Sequence, residues 1–121
     1  MIASRVKDLL PPDWPVTVGD LPSPNVEAVG LIEFDGYYNA MYFGMRYGTA
    51  IVQPLVKVVA RSASYEQGEY YMDQAKQILN GTSDPANNIL SIVMVGTPTY
   101  LGRNPQKMHE FQVVFQIQVK E

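Results

Sequence analysis

One histidine, His109, a scatter of serines and acids, and no cysteine are all this 121-residue chain offers for covalent or acid–base chemistry. A nucleophilic triad needs a serine held at a sharp strand-to-helix turn beside a histidine. No Gly-x-Ser-x-Gly elbow is present to hold one. His109 opens a strand pattern on its apolar side, which suits a structural or surface role. Without cysteine there is no disulfide, no thiolate nucleophile and no zinc–thiolate site. The carboxylates are spread too evenly for a metal cluster, and the loop around Asp84 offers only one. Two acids could still meet in space as a hydrolytic pair, but nothing in the sequence points to a cleft. With neither a P-loop nor a Gly-x-Gly-x-x-Gly, the glycines read as turns. No catalytic, cofactor-binding or metal-binding residue is assigned.

Binding residues are better represented. Tyr37 to Tyr47 (YYNAMYFGMRY) concentrates aromatics and methionines without a clean period. Two readings stand: a half-buried hairpin packed under helices, or a protruding arm whose Tyr37, Tyr38, Met41, Tyr42 and Phe43 anchor a protein partner. Stacking on single-stranded nucleic acid would need interleaved basic residues, and only Arg46 is there. Arg103, in the turn-rich TYLGRNP, is either a solvated loop arginine or a bidentate partner for an acid on a neighbouring subunit. From His109 to Lys120, Phe111, Val113, Phe115, Ile117 and Val119 alternate with Glu110, Gln112, Gln116, Gln118 and Lys120. A period of two puts one face of a strand on a core. The other face is mostly uncharged glutamine, which can hydrogen-bond a protein neighbour as readily as water.

Composition narrows the class. A single domain spanning residues 1–121 buries roughly 65% of the surface its unfolded chain exposes, enough for a core without metal or disulfide. The net charge is -3 and the nine basic residues are scattered, which argues against a nucleic-acid-binding surface. An acidic surface would instead let passing DNA slide. Arg5, Lys7 and Asp8 interrupt the start where a signal peptide needs an apolar run. No apolar stretch approaches the roughly 20 residues that span a bilayer. The expectation is a soluble chain that stays where it is made.

The elements that must position these residues follow from periodicity and punctuation. Ile2, Val6, Leu9 and Leu10 mark a short amphipathic helix ended by Pro11-Pro12, and Trp14, Val16 and Val18 alternate in a brief strand. Val26 to Phe34 reads as a second strand closed by the turn signal Asp35-Gly36. Ala50 to Ala60 is nearly continuous apolar sequence, a central strand that Pro54 must bulge or break near its start. Ser64 and Gln67 form a capping-box pair for a helix whose apolar face is Gly68, Tyr71, Met72, Ala75, Ile78 and Leu79, stopped at Gly81. The apolar strand Ile89 to Val95, a turn-rich stretch from Gly96 to Met108 and the final strand complete the order. It predicts an α+β fold: one mixed, largely antiparallel sheet of four to five strands with two helices packed on one face.

In this order, VVARSASYEQGEYYMDQAKQILNG resembles the strand–turn–helix of tail-terminator proteins of long-tailed bacteriophages, also labelled minor capsid or head–tail joining proteins. Val58, Val59, Arg61, Ser62, Ser64, Ala75, Ile78, Leu79 and Gly81 carry the match. IVMVGTPTYLGRNPQKMHEFQVVFQIQV is similar to that family's closing hairpin, through its proline, Leu101-Gly102-Arg103 and the alternating last strand. Asn104-Pro105-Gln106-Lys107 stands where the family often carries acidic and glycine residues, and the Tyr/Met-rich segment has no counterpart. The resemblance implies a virion structural protein of the tail or neck, assembled in the host cytoplasm, without enzymatic activity or cofactor. It implies a homo-oligomeric ring, a hexamer, that caps the tail tube and ends its polymerisation. Its partners would be its own copies, the major tail-tube protein and the head connector or neck protein, with genomic DNA only passing through the lumen and no membrane. Tyr37, Tyr38, Met41, Tyr42, Phe43, Arg46, Tyr100, Leu101 and Arg103 are the interface candidates. The alternatives are another phage neck or head-completion protein, or a small α+β enzyme or ligand-binding domain with its site in the helix–sheet crevice.

Overall fold

Six elements of alternating or helical periodicity and two short ones account for the described chain. The computed structural model describes residues 2–19, 21, 26–38 and 51–120; Met41, Tyr42, Phe43 and Arg46 lie outside the described residues. The elements are α1 (Ile2–Lys7), β1 (Val16–Val18), β2 (Ala28–Tyr38), β3 (Ile51–Ser62), α2 (Tyr65–Leu79), a 3-10 turn at Pro85–Asn87, β4 (Ile89–Arg103) and β5 (His109–Lys120). They build one five-stranded sheet in the order β1-β2-β3-β5-β4. β1 runs parallel to β2, and the other neighbours are antiparallel. The architecture is the mixed α+β sheet with two helices that the sequence predicts. Helix α2 carries the chain from β3 past one strand position to β4, and β5 returns to fill the gap.

The alternation in β5 is realised residue by residue. Phe111, Val113, Phe115, Ile117 and Val119 are buried, and the residues between them are half-buried. Their cross-strand partners Val56, Val58 and Ala60 on β3 are buried too, as are Val29 and Leu31 on β2. Both helices pack on this face: Ala3 and Val6 from α1, and Tyr71, Met72, Ala75 and Leu79 from α2 join the same apolar cluster. Ser64 caps α2, its hydroxyl accepting the Gln67 N–H at 3.3 Å. Gly68 is required by packing: a Cβ there would run into the Phe111 ring, so only glycine lets α2 approach β5 this closely.

A second tie is polar. The Glu27 carboxylate, just before β2, accepts from Ser62 Oγ and from Tyr71 Oη, each at 2.7 Å. It joins the start of β2, the end of β3 and α2. Burial, helped by the hydrogen bond to Glu27, pushes the Tyr71 phenol above its ordinary value, because phenolate would be formed away from water and beside a carboxylate.

Local signals were overridden in three places. Asp35-Gly36 is not a turn; β2 runs through it to Tyr38, with a register shift between Phe34 and Gly36, so the turn-prone pair is absorbed as a bulge. β3 continues past Ala60 to Ser62, whereas the break expected at Pro54 is present: pairing with β5 skips Gln53 and Pro54, because proline has no N–H to give the ladder. The stretch from Gly96 is not a long turn either. β4 continues to Arg103 through register shifts at Val95/Thr99 and Tyr100/Gly102, and the connection to β5 is only Asn104 to Met108. Gly96, at φ +78°, supplies the backbone conformation that the first of these bulges needs.

Candidate interaction surfaces

Among the described residues, the helices cover one face of the sheet, and the other reads as rows across four strands. One row is Phe34, Leu55, Gln116 and Val93; the next is Ile32, Lys57, Val114 and Val95. Phe34, Val93 and Val95 are 37%, 51% and 48% exposed, whereas Ile32, Leu55 and Val114 are half-buried. Lys57 lays its ammonium 5.9 Å from the centre of the Phe34 ring. Farther along, Leu21 folds over Gly30 and the face becomes polar: Arg61 Nε donates to Glu110 Oε2 at 3.0 Å across β3 and β5. The exposed part is therefore an apolar band interrupted by Gln116 and Lys57, with its most exposed groups, Phe34 on β2 and Val93 and Val95 on β4, toward its two sides. Exposed apolar groups mixed with polar ones are a usual composition of a protein contact site.

The long edge strand offers no such opening along its first half. The chain after α2 runs beside β4, with Gly81 N–H donating to Ile92 O at 2.7 Å and Ile92 N–H to Thr82 O at 3.0 Å. Asn80 Oδ1 accepts from Met94 N–H at 2.9 Å. Beyond Met94 the two register shifts and Pro98 break the regular row of donors. Both devices are ways of keeping an edge from pairing with another chain. Association by strand addition at β4 is thus disfavoured, and contact through the open face is left available.

Tyr100 to Arg103 lies in β4, not in a turn. Tyr100 and Leu101 are exposed, as is Arg103. Tyr100 stands across from Phe111, and its hydroxyl lies 2.8 Å from His109 Nδ1, so the one histidine is a buried clamp on this tyrosine. Arg103 is the cross-strand partner of His109. Tyr37 and Tyr38 fall in β2, where their backbone pairs with Gln53 and Val52, and Val52 in turn pairs with Val119. The two predicted patches therefore sit at opposite ends of β5, at His109 and Val119, roughly 33 Å apart at about 3.3 Å per residue. They do not form one site. The glutamines of β5 that can hydrogen-bond a neighbour lie on the open face, but its apolar groups on β4 do not stand out in the sequence: Val93 and Val95 belong to the apolar run 92–95, which suggests burial on both sides, and only the packing of both helices on the other face leaves them open.

Among the described residues, no group of three or more His, Asp or Glu side chains is placed to hold a metal ion. No helix among them is long and apolar enough to cross a membrane. Compared with known proteins, the chain matches no family model and no curated protein.

Proposed function

We propose that this chain is a structural assembly protein of a long-tailed phage virion, a tail terminator that closes the tail tube as a ring of its own copies and presents a docking surface to the head connector. The observation that carries this reading is the sheet face opposite the helices, where Phe34, Val93 and Val95 are exposed, with the β4 edge protected beside it. A face of that kind recognises a folded partner. Ring closure needs two different patches that meet around an axis, and the separated ends of β5 supply two such positions. The element order and the motifs around Arg61 and Leu101 add the resemblance. In this role the protein breaks no bond. It matches the tube end on one side and replaces the growth surface on the other, while DNA passes through the lumen; the ring resides in the tail or neck after assembly in the host cytoplasm.

The experiment is negative-stain microscopy of the protein alone and with polymerised tail tubes from the same source. Rings, or caps on tube ends with growth arrested, support the reading and give the symmetry. Absence of binding to both tube and connector overturns it.

A further inference from the structure

On the helix side of the sheet, away from the apolar band, α2 and the bulged half of β4 enclose a cleft of about 410 Å³. That volume falls within the range of small-ligand sites, roughly 300–1,000 Å³. Its walls come from distant parts of the sequence. Tyr65, Glu69, Met72, Asp73 and Lys76 follow one another at helical spacing along α2, facing Thr97, Pro98 and Tyr100 of β4, and Phe111 of β5 lies between.

The aromatic part is tightly built. Tyr65 and Tyr100 have ring centres 5.1 Å apart, and Phe111 lies 5.1 Å from Tyr65 and 4.9 Å from Tyr100. Phe111 is buried, but Tyr65 and Tyr100 remain 42% and 43% exposed. The Tyr100 ring is held in place by its hydroxyl contact with His109. Two carboxylates, Glu69 and Asp73, stand one turn apart on the same wall, and among the described residues neither has a hydrogen-bond or ion-pair partner. Lys76 occupies the far end, so the end nearer Tyr65 carries the negative charge.

Aromatic faces and unpaired carboxylates together select a positive charge on an apolar stem. Ring quadrupoles attract a cation, methylene groups pack on Met72 and the rings, and the carboxylates take the N–H donors. We propose that this cleft binds a cationic side chain, the guanidinium of an arginine or the ammonium of a lysine, presented by a partner protein. It is a second recognition site, on the opposite side of the sheet from the apolar band. A neutral side chain of the same length leaves both carboxylates unanswered. An anionic one meets them directly.

The test is a titration of the full chain, followed by amide chemical shifts, with a blocked peptide carrying one arginine among alanines. The same peptide with citrulline, which keeps the shape and loses the charge, is the control, and methylguanidinium is the free-cation arm. Saturable shifts confined to residues 65–76, 97–100 and 111 are expected for the arginine peptide, with binding in the millimolar range, about 1 mM. Affinity should fall about fivefold in Glu69→Gln/Asp73→Asn and about threefold in Tyr65→Ala, variants whose altered side chains are exposed. Equal binding of the citrulline peptide, or no saturable shift at these residues, overturns the proposal. Tighter binding of methylguanidinium than of the peptide also overturns it, by assigning the cleft to a free small cation.

Discussion

The two faces of one sheet are built from the same strands and do opposite things. On the covered face Val56, Phe115 and Met94 line up across β3, β5 and β4 under the helices, and Phe115 is 1% exposed. One residue along each strand, Leu55, Gln116 and Val93 form the corresponding row on the open face. Shifting by one position exchanges core for surface, because side chains alternate along a strand. The covered face spends its apolar groups on folding, whereas the open face keeps apolar groups that folding does not use. Unused apolar surface beside a protected edge is the physical basis for reading this protein as an assembly component.

Substitutions on the two faces should therefore separate stability from association. The largest effect is expected for Phe115→Ala, which removes the bulkiest fully buried side chain and should cost about 3–5 kcal/mol, read as a lower denaturation midpoint. Tyr71→Phe removes the hydroxyl that Glu27 accepts and should cost about 1–2 kcal/mol at neutral pH. It should also flatten the alkaline limb. A phenol raised in the folded state stabilises fully below its ordinary value of 10.0, and that contribution is lost as pH climbs through the folded value. The wild type should thus lose stability more steeply above about pH 10 than Tyr71→Phe does, as followed by urea titration at stepped pH. Ser64→Ala, which leaves the Gln67 N–H without its cap, should cost about 1 kcal/mol. Smallest in stability is Val93→Lys/Val95→Lys on the open face, expected to cost less than about 1 kcal/mol. In assembly the order reverses, and this last variant should lose partner binding altogether.

Some of this is legible in the sequence alone. β5 announced itself because five apolar residues alternate without a break, and α2 because Ser64, Gln67 and an apolar stripe agree with one another. What misled was local chemistry outvoted by neighbours. Asp35-Gly36 and Gly96-Thr97-Pro98 are turn-formers, yet long antiparallel partners on β3 and β5 carry the backbone through them as bulges. The surfaces were the least legible. Tyr100 and Arg103 are near His109, as sequence proximity suggests, but their separation from Tyr37 and Tyr38 depends on strand direction. The apolar band depends on both helices packing on the same, opposite face. The cleft depends on α2 lying beside the bulged half of β4, and no short-range pattern joins Tyr65 to Tyr100. Alternation and capping are local; strand order is not.

The most direct test of the central claim compares wild type with Val93→Lys/Val95→Lys in tube capping, with thermal denaturation measured alongside. Both proteins should melt within a few degrees of each other, about 5 °C for a domain of this size, while only the wild type seats on tube ends and arrests their growth. A folded variant that caps tubes as well as the wild type would contradict the central claim, because the open face would then have no part in assembly.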